Sequence, residues 1–161
     1  MAQRGAIYLA VLFIVAATGV GLATFGRSWS TEIQREREAA LLDAGSTYRR
    51  AIGRYYEATP GPIKVYPPDL DSLLADPRFP EVRRHLRQPI PDPMTGKVDW
   101  VLLPAPGGGI AGVASRAEQA PFKRVGFSGH NRAFEVVAEQ RGDKLRYRDW
   151  EFVHSAGTAI D

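Results

Sequence analysis

From Ala6 to Phe25 the chain reads AIYLAVLFIVAATGVGLATF, an apolar run without a charge. At ~1.5 Å rise per residue, a helix of that length matches the ~30 Å hydrocarbon layer of a bilayer. The pattern therefore predicts a transmembrane helix over residues 6–25, with Tyr8 and Trp29 near the two interfaces. Gly19 and Gly21 are tolerated in such a helix and would let a neighbouring helix approach closely. Arg4 precedes the run, which predicts a short cytoplasmic leader over residues 1–5. The expected topology is single-pass, with the C-terminal domain on the side of the membrane opposite the leader. No proline occurs from Ser30 to Ala58, and Ile33, Leu41, Ala44, Tyr48, Ile52 and Tyr55 recur mostly three or four residues apart. That spacing puts them on one helix face, so the helix is expected to continue over residues 26–58, with Tyr48, Ile52 and Tyr55 packing on a domain. The mixed charges from Glu32 to Glu38 read as a solvated stretch. Thr59-Pro60-Gly61-Pro62 then stops the helix.

Residues 63–154 read as a small α+β domain, and residues 155–161 as a flexible tail. Pro67 to Leu74 opens with prolines and Asp69 and continues with leucines, a helix start. Glu81 to Arg87 suits a short turn with Val82, His85 and Leu86 facing inward. Met94-Thr95-Gly96-Lys97 predicts a tight turn, Val98 to Leu103 a strand, Gly107-Gly108-Gly109 a turn and Ile110 to Ser115 a return strand. Phe122 to Phe127 is a candidate third strand. Phe134 and Val136 alternate with polar residues as in a further strand, Arg141-Gly142-Asp143 turns the chain, and Leu145, Tyr147, Trp150 and Phe152 supply more apolar positions. The expected architecture is α+β: a long N-terminal helix, transmembrane in its first half, with a small antiparallel β-sheet domain packed on its distal half.

The 161 residues hold no cysteine, which removes disulfides, thiolate metal sites and cysteine nucleophiles together. The net charge of +3 is mild for a nucleic-acid reader. Basic residues do cluster, at Arg49, Arg50 and Arg54, at Arg83, Arg84 and Arg87, and at Lys123-Arg124. Phosphate contacts with DNA are one use for them; solvated faces or docking surfaces for acidic partner subunits are the simpler one. Gly107 to Gly112 formally matches G-x-G-x-x-G, but Pro104 and Pro106 interrupt the approach and strand formers follow, so a hairpin turn is expected and no cofactor. His85, His130 and His154 are scattered, and Ser128 lacks a nucleophile-elbow context. Asp69, Asp71 and Asp76 fit a helix start better than a carboxylate pair. No catalytic or metal-binding set is expected.

The order of these segments resembles the type IV pilin superfamily, most closely the pseudopilins of type II secretion systems. The resemblance rests on Arg4-Gly5 before the apolar run, on the helix running into a domain, on Tyr66-Pro67 followed by Leu70 and Leu73-Leu74, and on Leu86, Pro91-Asp92-Pro93, Gly96 and Trp100. It implies a prepilin-peptidase site between Gly5 and Ala6, a methylated new amine, and assembly through helix and domain contacts. The implied partners are other pilin-like subunits and an inner-membrane assembly platform, and the implied location is the bacterial inner membrane, single-pass, with the C-terminal domain periplasmic. Ala6 and Ala10 stand where the family carries Phe and Glu, so the chain looks like a minor or tip-proximal subunit. Where the family's major members hold calcium, Ser115 to Pro121 offers one carboxylate, against the six to eight oxygens that calcium takes. The leading expectation is a non-enzymatic pilin-like subunit of a type II secretion or type IV pilus-type assembly. The alternative is a stand-alone single-pass membrane protein with a periplasmic ligand- or partner-binding domain. A third reading, a secreted enzyme freed by cleavage after Ala23, finds no active site in the sequence.

Overall fold

The computed structural model describes the backbone of residues 2–156 and the side-chain surroundings of residues 9, 11–16 and 31–156. The chain divides into two compact units, Met1–Glu36 and Arg37–Asp161. Helix α1 (Ala2–Glu57) supplies the first and opens the second.

In the first unit Leu9, Val11, Leu12 and Phe13 are all more than half exposed. Successive residues of a helix point about 100° apart, so these four, with the likewise exposed Ile14 on the remaining side, make it apolar all round. Among the described residues, however, no helix is long and apolar enough to cross a membrane. The described apolar positions run only from Leu9 to Ala16, about 12 Å of helix against ~30 Å of hydrocarbon. The rest of the expected span 6–25 lies outside the described side chains. The transmembrane first half, and with it the expected single-pass anchoring in the inner membrane with a periplasmic domain, is corrected accordingly.

The second unit is built on the C-terminal part of α1. Leu41, Ala44, Tyr48, Ala51, Ile52 and Tyr55 are buried along one stripe, while Asp43, Arg54 and Glu57 face out. The sheet is antiparallel in the order β1-β2-β3, with β1 Val101–Pro104, β2 Ile110–Ala114 and β3 Glu151–Val153. Val101 pairs with Ala114 and Leu103 with Gly112; on the other side Val113 pairs with Phe152. The central strand β2 is buried throughout. Phe152 lies directly over Gly45 of α1, where an added Cβ would overlap three carbons of its ring. Phe127, Phe134, Tyr147 and Trp150 close the core around it, with the Phe134 and Trp150 rings stacked at 5.9 Å.

Several expected elements differ. The hairpin between β1 and β2 holds the glycine run, and Gly109 (φ 81) packs so tightly on Tyr66 and Pro67 that a Cβ would come within 2.9 Å of their atoms. Ile110 N–H donates to the Pro67 carbonyl there (2.8 Å), so the G-x-G-x-x-G match is turn and strand. Pro67–Leu74 forms one 3₁₀ turn, Asp71–Leu73, because Asp69 Oδ1 accepts from both the backbone and the hydroxyl of Ser72. Val82 is exposed, whereas His85 and Leu86 are buried. Phe122–Phe127 is not a strand: the N–H groups of Phe122 and Lys123 donate to the Glu38 carboxylate instead of a sheet partner. Phe134 and Val136 lie in helix α2 (Ala133–Arg141). There Ala, Glu, Gln and Arg favour helix, and Phe134 and Ala138 form the buried i,i+4 pair. The last residues of the expected tail, 157–161, lie outside the described residues.

Candidate functional site

The segment after α1 returns along it as an irregular strap. Its anchor is Asp76, buried and isolated from water. Arg78 donates to both Asp76 oxygens, from Nε at 2.8 Å and from Nη2 at 2.6 Å. The same guanidinium reaches Thr59 Oγ1 (2.6 Å) and the Tyr55 carbonyl (2.8 Å), and lies 3.5 Å from the centre of the Tyr55 ring. His85 Nε2 sits 3.0 Å from Asp76 Oδ2. Burial opposes the charge on Asp76, but the hydrogen bonds from Arg78 and His85 outweigh it and hold the carboxyl well below the usual carboxylate range. Leu73 O accepts from the N–H groups of both His85 and Leu86 at 2.8 Å. Arg78 thus ties the end of the helix to the strap, and His85 fixes the start of the next segment.

That segment ends on a second anchor. Tyr48 hydroxyl donates to Ile90 O (3.1 Å) and accepts from Ile90 N (3.0 Å), while Trp100 Nε1 donates to the same carbonyl (2.8 Å). Burial pushes the Tyr48 phenol up, partly offset by the Ile90 backbone. Between the anchors, residues 84–90 and the face of α1 around Arg50 and Arg54 enclose a cleft of about 730 Å³. Arg50, Arg54, Arg84 and Arg87 line it, with Leu86 and Ile90 as apolar wall. Arg54 Nη2 donates to the His85 carbonyl at 2.6 Å, and Arg50 Nη2 to Thr47 Oγ1 at 3.0 Å, so two guanidiniums are held in place. Chemically, such a cleft can bind and orient negative charge.

Tyr48, Ile52 and Tyr55 all lie on the buried stripe of α1. Gly5, Ala6, Gly19 and Gly21 belong to the helical backbone of α1, and their surroundings lie outside the described residues. Among the described residues, no three His, Cys, Asp or Glu are grouped to hold a metal ion. Ser115, at the start of the stretch compared with a calcium loop, donates its hydroxyl to Asp92 Oδ2 at 2.7 Å. Asp92 is fully buried and also accepts from Met94 N (2.9 Å) and Arg116 N (3.3 Å). Sequence reasoning missed the roles of Asp76, Arg78 and Asp92. For Asp92 a signal existed, since an Asp opening a Pro-rich turn commonly caps the backbone two residues on; for the Asp76–Arg78–His85 set nothing in the spacing marks the contact. No protein-family model, curated protein or solved structure matches this chain.

Proposed function

We propose that the chain is a non-enzymatic assembly subunit of the pilin-like kind, working through contacts of its N-terminal helix and of its small domain. The observation that carries this reading is the apolar, exposed surface of Leu9, Val11, Leu12, Phe13 and Ile14 on every side of one helix. A helix that is apolar all round is buried in its working state, and like helices of neighbouring subunits are the covering proposed here. Gly19 and Gly21 would serve close approach in the same contact. The C-terminal part of α1 supports the reading differently: its stripe is already filled by the domain, so it acts as a spine and leaves the N-terminal part for neighbours.

The absence of cysteine gives a clean test. A single Phe13→Cys in the full chain, expressed in its native host, is labelled with benzophenone maleimide and irradiated, so that any neighbouring side chain can be captured. Cross-linked products containing a second helix-bearing subunit are expected from this position and not from Val82→Cys in the domain. Only monomer from Phe13→Cys, with the chain at its normal abundance, overturns the proposal. The alternative, a stand-alone ligand- or partner-binding domain, draws its support from the basic cleft, and it would leave Phe13→Cys monomeric.

A further inference from the structure

We propose that the cleft between α1 and residues 84–90 is a binding site for a small anion bearing two or more phosphate groups. Four guanidiniums, those of Arg50, Arg54, Arg84 and Arg87, line one cavity of about 730 Å³. Among the described residues none of the four lies within salt-bridge distance of a carboxylate. Five arginines elsewhere have a carboxylate partner, Arg78 with Asp76, Arg116 with Asp99, Arg124 with Asp143, Arg141 with Asp149 and Arg148 with Glu118, while six more are unpaired among the described residues; the cleft differs in bringing four unpaired ones to a single cavity. Four like charges without a counter-charge repel one another, and that repulsion is relieved when an anion enters.

The walls of the cavity are anchored. Arg54 is held by the His85 carbonyl, and the backbone of His85 and Leu86 by Leu73. His85 rests in turn on the buried Asp76, and Ile90 is clamped by Tyr48 and Trp100. Two cationic groups on α1 and two on a segment whose backbone is anchored therefore line the same cavity. Size falls within the ~300–1,000 Å³ of small-molecule sites.

The charge count selects the ligand class. A terminal phosphate carries about −1.5 to −2 charges near neutral pH, so two or three phosphate groups balance the four guanidiniums. One carboxylate would leave three unpaired. All four cations are Arg, whose planar fork of N–H donors matches phosphate oxygens in pairs. Leu86 and Ile90 offer an apolar wall to any organic part of the ligand. A free polyphosphate compound and a phosphorylated lipid headgroup share this chemistry.

Calorimetric titration of the full chain with tripolyphosphate tests the site. Saturable binding is expected, weakened by added salt and weakened about tenfold or more in Arg50→Gln/Arg87→Gln. Arg116→Gln/Arg124→Gln changes net charge equally, away from the cleft, and should bind as the native chain does. Circular dichroism melts of both variants guard against a folding defect; the cleft variant is expected to melt no lower, because removing unpaired like charges relieves repulsion. Vesicles carrying a bis-phosphorylated inositol lipid separate the sources: binding displaced by tripolyphosphate marks a headgroup, and no vesicle binding marks a free compound. Equal weakening by the two double variants, no saturable binding, or tighter binding of an oligo-glutamate peptide than of tripolyphosphate overturns the proposal.

Discussion

Gly45→Ala separates the local preference of a helix from the packing demand of the domain. In an exposed helix the change gains about 0.8–1 kcal/mol, because Gly loses more backbone freedom than Ala on folding. Here the new Cβ would overlap three ring carbons of Phe152. That ring is fully buried, pairs edge-on with Phe134 at 5.2 Å, and sits on a strand paired to β2. It has no flexible end to yield, so the upper part of the ~1–3 kcal/mol range for overpacking applies. Subtracting the helix gain leaves a net loss of about 2 kcal/mol, or about 8 °C in melting midpoint for a domain of this size. Urea titration of the full chain followed by far-UV circular dichroism reads it. Phe152→Leu supplies the second arm of a cycle, costing about 1–2 kcal/mol alone by lost burial. In the double variant the costs should fall short of their sum by at least about 1 kcal/mol, since the smaller side chain vacates the space the methyl needs. A stabilised Gly45→Ala, or strict additivity in the cycle, would refute the close approach.

Asp76→Asn leaves the Arg78 guanidinium without its carboxylate and should cost about 3 kcal/mol in a denaturant titration. In the native chain the depressed Asp76 carboxyl contributes stability that is present above the unfolded value of about pH 3.9 and is lost as pH falls below it. His154 has its pKa lowered, chiefly by burial and further by Arg49 and His130, against an opposing pull from Glu57. Its Nε2 has no hydrogen-bond partner among the described residues. Folded His154 refuses a proton that the unfolded chain accepts, so stability should fall as pH drops below about 6.5. His154→Phe should flatten that decline in urea midpoints taken from neutral to mildly acid pH. Asp92→Ala strands the Ser115 hydroxyl and the Met94 amide and should cost about 3 kcal/mol by the same assay. Intact mass of the chain from its native host is expected to start at Ala6 with a methylated amine; a mass starting at Met1 removes prepilin-type processing from the proposed function.

The stripe of α1 was readable because Leu41, Ala44, Tyr48, Ile52 and Tyr55 repeat at helical spacing and are all buried on one side. The β1–β2 hairpin was readable from its glycine run. Helix α2 was not, because Phe134 and Val136 mimic a strand at two-residue spacing while only Phe134 is buried. Phe122–Phe127 failed as a strand for a reason that lies 84 residues away, in the carboxylate of Glu38. The cleft was half visible. Each arginine cluster stands out in the sequence, but their meeting depends on the Asp76–Arg78–His85 strap, which no local pattern announces. The apolar run at the start invited a membrane span, but no helix among the described residues is long and apolar enough to make one.

Phe152 has one more consequence, for the order of events in folding. It completes the cover over Gly45, and Tyr147 donates its hydroxyl to Glu38 (2.9 Å), so both close contacts between residues more than a hundred positions apart. Topologies dominated by such distant contacts fold slowly, because the loop must close before the contact rewards it. During synthesis the ribosome releases the helix first and β3 far later. For that interval the stripe of Leu41, Tyr48, Ile52 and Tyr55 stands bare, a sticky surface on a nascent chain. The domain cannot close as it emerges, because the cover over Gly45 is complete only once β3 has left the ribosome.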